Sequence, residues 1–286
     1  MDWHRFLNRV ERMHATTTDA ELRSEWQALI AEVDENDKPY HLALAVDEFE
    51  SRRGDRPRSD FHILDHGCGP ASALVWLAAI GFTNSRGVDV GGDFEAQNRW
   101  ARVALGHNND CFAIYDGKEL PIADRSIDAI ISHQVLEHVP EAQFESYYAE
   151  QGRVLVDGGI VLAQVPHKLV PYDSHSRTWV LHMLPKAIAE SLMKAAGREW
   201  PDHLHLRWPS THVSMSKRFI GPVINHSAKR LVELTTMKYY DGPRGMRTFI
   251  GSLCRVPGVG RLFARVLSSF VLMETVATRC RPDSSR

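Results

Sequence analysis

The sequence predicts an α/β protein built on a doubly wound, mostly parallel sheet with helices on both faces. Within residues 61–90 a short apolar strand, a glycine turn, an apolar helix and a second strand follow one another. The alternation continues with a helical pattern over 94–105 and a strand over 111–115. Residues 160–166 are mostly apolar, as expected of a strand buried on both faces. Strands that alternate with helices in this way build parallel sheets.

Length and composition are those of an ordinary soluble protein. With 286 residues the chain can form one large domain, or a domain with a cap. Its four cysteines are scattered without a Cys-x-x-Cys pair, which predicts reduced thiols in a cytoplasmic protein. The polar N-terminus does not resemble a signal peptide. No apolar run approaches the roughly 20 residues that a membrane-spanning helix needs.

The pattern divides the chain into three regions. Residues 1–58 carry apolar side chains at helical spacing and form a helical extension. Residues 59–168 hold the alternating strands and helices of the core. Residues 169–286 are expected to complete the sheet and form a substrate cap. Within them 172–182 is predicted to be a loop and 270–280 a last strand, because threonine and valine are frequent there.

The glycine turn after the first strand distinguishes between two kinds of ligand. Gly67 and Gly69 follow the first strand directly, where the backbone can turn tightly or approach a ligand closely. A nicotinamide-dinucleotide turn requires Gly-x-Gly-x-x-Gly, but Ser72 occupies the third glycine position. Asp65 precedes the turn and would repel a pyrophosphate. A carboxylate at this point suits a cationic or amino-bearing ligand.

Residues 60–168 resemble the class I S-adenosylmethionine-dependent methyltransferases, in particular the small-molecule type 11 domain. Their first motif runs Asp-x-Gly-x-Gly-x-Gly, and residues 65–71 depart from it only at Ala71. Residues 116–141 match the family's acidic residue after strand three, its Leu-Pro turn, the Asp that opens strand four and a Leu-Glu-His-Val helix start. Residues 153–159 match the Arg-Val-Leu-x-x-Gly-Gly entry into strand five. The resemblance implies a Rossmann-like fold, S-adenosylmethionine as the cofactor, and N-terminal helices that could serve as a lid.

The resemblance also assigns cofactor contacts. Asp65 and the backbone of the glycine turn would hold the methionine end, because a carboxylate can accept from its ammonium group. Asp89 would accept both ribose hydroxyls, as an acidic residue does in dinucleotide folds. Asp116 would accept from the adenine amino group, and His133 would lie near the sulfonium. The full set of expected cofactor-binding residues is Asp65, Gly67, Cys68, Gly69, Asp89, Val90, Asp116, Gly117 and His133.

Methyl transfer needs a base only when the acceptor must lose a proton early. The sulfonium is an activated leaving group, so alignment of the two partners and exclusion of water are the main requirements. Candidate bases are His133, His138 and the pair Asp173 and His175, since histidine titrates near neutral pH. His138 is expected to cap or pack its helix, which leaves His133 and His175 as catalytic candidates. Three histidines within 203–212 have no carboxylate or cysteine at helpful spacing, so no metal site is predicted.

The acceptor is expected to be a small molecule, a glycan or a lipid-linked precursor, and two other functions remain open. An NAD(P)-type oxidoreductase is disfavoured because Tyr147 is followed four residues later by Gln151 rather than lysine. A non-catalytic binding module that retains the fold would be compatible with Ala71. A nucleic-acid substrate is disfavoured because residues 132–135 lack an Asn/Asp-Pro-Pro-Tyr/Phe motif. The sequence does not specify the oligomeric state.

Charge is unevenly spread along the chain. Residues 229–286 contain eleven Lys and Arg against four Asp and Glu, a net +7, so the preceding residues carry −9. Apolar side chains recur at helical spacing over 259–270, with Arg261 and Arg265 outside that set. Such a helix either packs on the core or lies in a membrane interface. The second case would give a cytoplasmic protein that contacts an anionic membrane surface peripherally.

Overall fold

The computed structural model describes residues 2–36, 38–233 and 244–280, which contain eleven α-helices and nine strands. The helices are α1 Trp3–His14, α2 Asp19–Glu32, α3 Tyr40–Arg53, α4 Ser72–Ala79, α5 Glu95–Leu105, α6 Phe144–Val154, α7 Lys186–Ala195, α8 Pro209–Phe219, α9 Ser227–Glu233, α10 Arg244–Cys254 and α11 Gly260–Leu267. The strands are β1 Ile63–His66, β2 Ser85–Asp89, β3 Phe112–Ile114, β4 Ile127–His133, β5 Leu155–Val165, β6 Tyr172–Asp173, β7 Thr178–Trp179, β8 Val223–Asn225 and β9 Met273–Thr278.

Seven of the strands form one sheet in the order β3-β2-β1-β4-β5-β9-β8. Strand β1 pairs in parallel with β2, where Ile63 faces Ser85, and with β4, where Ile63 faces Ala129. Strands β2 and β3 are also parallel, whereas β8 and β9 are antiparallel. The chain reverses its strand order after β3, as in doubly wound sheets. The predicted α/β class is confirmed.

The chain divides into two compact units. The first comprises the described residues of 1–132 and 153–160, and the second comprises those of 133–152 and 161–286. In the first unit the predicted helical extension contains three helices, α1, α2 and α3. Helix α2 begins with a capping box of Thr18 and Glu21, which satisfies two backbone donors. Trp26 of α2 packs edge-on against the fully buried Trp100 of α5 at 5.3 Å between ring centroids. Because aromatic pairs bury much apolar area, this contact fixes the extension on the core.

A buried histidine ties three elements of the second unit together. The ring of His212, in α8, bonds through Nδ1 to the Tyr148 hydroxyl of α6 at 2.8 Å. Its Nε2 meets the Thr275 hydroxyl of β9 at 2.9 Å. Burial lowers the pKa of His212 to about 4, so the ring is neutral at pH 7. A neutral ring can donate through one nitrogen and accept through the other, which matches these two hydroxyl partners.

Four expectations about the part of the chain after residue 150 can be compared with the structure. Residues 172–182 do not form a plain loop, because β6 and β7 pair as an antiparallel hairpin there, with Asp173 opposite Thr178. The predicted strand over 270–280 is confirmed as β9. Strand β5 begins at Leu155 rather than after the glycines of 158–159, so the glycines lie within the strand. The sequence also predicts a helix near 228–237 and a Gly/Pro-punctuated stretch around 241–243; the helix is observed as α9 up to Glu233, and residues 234–243 lie outside the described residues.

Helix α11 is shorter and less buried than an ordinary core helix. Its buried residues are Gly260 and Ala264, and a Cβ on Gly260 would collide with the carbonyl of Cys254. The helix therefore approaches α10 through its small side chains. Among the described residues, no helix combines the length and hydropathy that crossing a bilayer requires.

Candidate active site

The glycine turn is folded onto the end of strand β2. The backbone N–H groups of Gly67 and Cys68 both donate to the carbonyl of Val88, at 2.8 and 3.1 Å. The next N–H of the turn, on Gly69, donates to Asp89 Oδ2 at 2.9 Å. Both glycines have positive φ, +90° at Gly67 and +49° at Gly69, which a residue with a Cβ adopts only with strain. The turn and the carboxylate of β2 thus form one hydrogen-bonded structure.

Asp89 has the geometry expected of a diol acceptor. Its Oδ1 accepts from the backbone N–H of Val90 at 2.7 Å, and its backbone carbonyl accepts from Tyr115 N at 3.0 Å. These bonds fix the carboxylate at the carboxyl end of the sheet. Each carboxylate oxygen can accept more than one hydrogen bond, so both retain capacity for ribose hydroxyls. Val90 is exposed beside it.

Asp65 occupies a setting that favours a cationic ligand. It is only 5% exposed, at the end of β1. Burial, together with the negative charge of Asp89, raises the pKa of its carboxyl to about 7. Among the described residues no cationic side chain pairs with it. A buried carboxylate beside a second carboxylate is stabilised by a positive ligand and disfavours an anionic group such as a pyrophosphate.

The departure from the family motif at Ala71 has a measurable backbone consequence. Ala71 precedes helix α4 with φ +63° and ψ +17°, the left-handed region that favours glycine. The family's glycine would adopt this conformation without strain. Ala71 is nevertheless fully buried and its N–H donates to the Cys68 carbonyl at 2.8 Å, so the turn closes in spite of the methyl group. Burial raises the pKa of the Cys68 thiol, which excludes it as a nucleophile.

Asp116 is exposed and caps its own turn. Its Oδ1 accepts from the backbone N–H groups of Lys118 and Glu119, at 2.8 and 3.1 Å. These bonds hold the pKa of Asp116 below its ordinary value. Gly117 follows with φ +77°. The predicted contact of Asp116 and Gly117 with adenine stays a prediction.

In the second unit the base candidates lie on two segments. His133 ends β4, and three residues later a single 3-10 turn begins, spanning Leu136–His138. His175 lies in the β6–β7 hairpin, and its Nδ1 is 3.3 Å from Asp173 Oδ1. The rings of His138 and His175 meet edge-on at 4.9 Å between centroids. Burial and the neighbouring His175 lower the pKa of His138, so it is neutral at pH 7.

Glu137 is not among the residues that the sequence predicts for the site, and it occupies an unusual environment. Its side chain is fully buried. Burial, helped by the charge of Asp173, raises the pKa of its carboxyl to about 7. Glu137 belongs to the Leu-Glu-His-Val segment, so the available signal was an acidic residue inside a motif that had been noted only as a helix start. The ring of His138, which was expected to cap or pack its helix, stacks on His203 at 5.4 Å between centroids.

The three histidines within 203–212 do not share one environment. His203 stacks on His138, whereas His212 is buried between Tyr148 and Thr275. His205 donates its backbone N–H to the carbonyl of Glu137 at 2.7 Å. His203 and His205 are therefore structural neighbours of the Glu137 segment, whereas His212 belongs to the buried contact among α6, α8 and β9.

Comparison with known proteins agrees with the motifs. A family described as a methyltransferase domain matches residues 64–163. A probable S-adenosylmethionine-dependent methyltransferase of Mycolicibacterium smegmatis is 28% identical over 180 residues. The match covers 59% of this chain and 64% of that protein, so the chain spans less than two thirds of the relative's length.

Among solved structures, an S-adenosylmethionine-dependent methyltransferase from Mesorhizobium loti has a TM-score of 0.46 at 17% identity, covering 84% of this chain and 98% of the other. Phosphoethanolamine N-methyltransferase 2 of Haemonchus contortus has a TM-score of 0.46 at 14% identity, covering 84% and 53%. The fold assignment itself rests on the strand order and registers described above. The chain therefore carries a class I S-adenosylmethionine-dependent methyltransferase domain.

Proposed function

We propose that the protein transfers the methyl group of S-adenosylmethionine to a small-molecule, glycan or lipid-linked acceptor. The observation that carries the proposal is the bond between Gly69 N and Asp89 Oδ2 beside the buried Asp65. This arrangement presents two carboxylates and a tight backbone turn at the carboxyl ends of adjacent parallel strands, where open α/β sheets bind ligands.

The cofactor supplies an activated methyl group on a sulfonium, and the chain's residues bind and orient it. Asp65 would hold the ammonium group and Asp89 the ribose hydroxyls. His133 and His175 remain the predicted bases for an acceptor that must lose a proton.

Calorimetry with the whole protein tests cofactor binding. We expect S-adenosylmethionine or its demethylated product to bind at micromolar concentration. Asp89→Ala should weaken binding by about 1.5–3 kcal/mol, since it removes charge-assisted hydrogen bonds and loosens the Gly69 turn. Asp89→Asn keeps an acceptor for Gly69 N–H and should have an intermediate effect. The exposed Asp60→Ala variant is the control and should bind as the wild type does.

Two results would support a different function. Tight binding of NAD with no binding of S-adenosylmethionine would replace the proposal with a nucleotide-dependent oxidoreductase. Cofactor binding without methyl transfer to any member of a panel of small-molecule, glycan and lipid-linked acceptors would favour the non-catalytic binding module.

We further propose that the protein contacts an anionic membrane surface through α11 and its flanks, as an amphipathic or lipid-linked acceptor would require. Large apolar side chains around this helix are exposed: Phe249 60%, Val256 42%, Val259 47%, Leu262 63%, Phe263 41%, Val266 52% and Phe270 44%. Arg255, Arg261 and Arg265 are exposed among them. An apolar surface bordered by arginines complements the interface of an anionic bilayer.

A further inference from the structure

The buried carboxylate of Glu137 lacks the partners that such a group requires. Its side chain is 0% exposed, and neither Oε1 nor Oε2 has a hydrogen-bond partner among the described residues. Burying an unpaired carboxylate is strongly unfavourable. A cation bound beside Glu137 would remove that cost.

Two imidazoles lie within reach of the same point. One potential ligand atom from each of Glu137, His138 and His175 lies within 4.8 Å of the other two. The Nε2 atom of His138 is 4.0 Å from Glu137 Oε1. Tetrahedral coordination with bonds of about 2.0–2.1 Å places ligand atoms about 3.3 Å apart. Small side-chain rotations would therefore bring the three atoms to coordination distance.

Both histidines are oriented by acceptors at Nδ1. His138 Nδ1 is 3.4 Å from the carbonyl of His203, and His175 Nδ1 is 3.3 Å from Asp173 Oδ1. Asp173 is itself held by the backbone N–H of Ser176, which donates at 2.6 Å. A proton on each Nδ1 leaves each Nε2 with a free lone pair. Metal-binding histidines show this pattern, with a carbonyl or carboxylate behind the ring.

Hydrogen bonds from Arg207 and His205 hold the backbone that carries Glu137 and His138. Arg207 donates to the carbonyls of Leu136 and Val139 at 3.1 and 2.9 Å, and its guanidinium lies 3.9 Å from the centre of the Phe144 ring. The carbonyl of Glu137 accepts from His205 N at 2.7 Å. The ligand-bearing turn is thus positioned by contacts that do not involve its carboxylate or its imidazole.

We propose that Glu137, His138 and His175 bind a divalent transition-metal ion of the zinc class. Two imidazoles and one carboxylate suit such an ion better than Mg²⁺ or Ca²⁺, which prefer all-oxygen ligands. Three protein ligands leave a coordination position open for water or an acceptor oxygen. The side chains of His138 and His175 are 40% and 24% exposed, so this position is accessible. His175 and Asp173 also line a cavity of about 120 Å³ beside the site.

Metal binding is measured directly on the full chain, purified without a polyhistidine tag and stripped with a chelator. Titration with Zn²⁺ should show one saturable site and a rise in the melting temperature. Glu137→Gln and His175→Ala should weaken Zn²⁺ binding by more than 100-fold and abolish the rise. Asp173→Asn, which only orients His175, should weaken binding about 10- to 100-fold.

His107→Ala is the matched control, because His107 bonds to the carbonyl of Thr83 in the first unit and should leave Zn²⁺ binding unchanged. The metal-free Glu137→Gln variant should melt at a higher temperature than the metal-free wild type, which separates loss of the site from loss of folding. Equal Zn²⁺ binding by the wild type and the ligand variants would overturn the proposal. So would tighter binding of Mg²⁺ than of Zn²⁺, or no saturable binding.

Discussion

Asp65 makes the stability of the protein depend on pH in a direction opposite to that of most carboxylates. Its folded-state pKa is about 7, whereas its ordinary value is 3.8. Between these values the folded protein holds a proton on Asp65 that the unfolded chain has lost. The free energy of unfolding therefore falls as pH rises from about 4 to about 7, by on the order of 1 kcal/mol per pH unit from this residue. Above pH 7 Asp65 is ionised in both the folded and the unfolded protein, so its contribution to the free energy of unfolding no longer changes with pH.

The prediction is tested by denaturant unfolding at pH 4.5 and 7.5. Asp65→Asn removes the titration and should lose less stability between these two pH values than the wild type does. Asp60→Asn, at an exposed position, should follow the wild type and serves as the control. An Asp65→Asn variant with the same pH dependence as the wild type would show that Asp65 does not titrate in this window. Cofactor binding near pH 6 should also release a proton, because a cation favours the charged carboxylate.

At the scale of single elements, the close contact of β2 with the glycine turn depends on Gly87. A Cβ at this position would lie 2.7 Å from a ring carbon of Phe112 and 2.8 Å from the Sγ of Cys68. Gly87→Ala should therefore displace both side chains and lower the free energy of unfolding by about 1–3 kcal/mol. Because Cys68 belongs to the turn, affinity for S-adenosylmethionine should fall as well.

Gly91 provides the comparison for this variant. Apart from its chain neighbours, no described residue comes within 4 Å of a Cβ at this position, so Gly91→Ala should change the free energy of unfolding by less than about 0.5 kcal/mol. Thermal or denaturant unfolding of the Gly87→Ala and Gly91→Ala variants, compared with the wild type, tests this prediction. Equal stability of Gly87→Ala and the wild type would mean that Phe112 and Cys68 can move aside at no cost.

At the scale of the whole molecule, the exposed apolar side chains of α11 predict binding to lipid vesicles. Co-sedimentation should require anionic lipid and decrease with added salt, since each basic residue near the surface contributes about 1 kcal/mol. Arg261/Arg265→Glu should abolish binding, and Leu262→Ser should weaken it. Ile114→Ser, at an apolar residue that is 56% exposed in the first unit, is the control. Equal binding to neutral and anionic vesicles, or binding to neither, would contradict the proposal.

The sequence by itself determined the features that depend on neighbouring residues. Hydrophobic periodicity identified the N-terminal helices, and the Asp65–Gly69 segment with Asp89 twenty residues later identified the methyltransferase domain. These signals are local because helix and strand patterns and turn glycines act over a few residues. The preference of 270–280 for a strand was of the same kind and was confirmed as β9.

Only the tertiary structure decided how distant segments meet and which side chains become buried. Glu137 and His175 are far apart in sequence, and a spacing argument could not associate them. The hairpin at 172–179 forms by pairing between two short strands whose sequence carries no alternation long enough to recognise. The exposure of α11 could not be read from its periodicity, because the same apolar pattern suits a core and an interface. In the structure Gly260 and Ala264 face the protein and Leu267 is partly buried beside them, whereas Leu262, Phe263 and Val266 stay exposed.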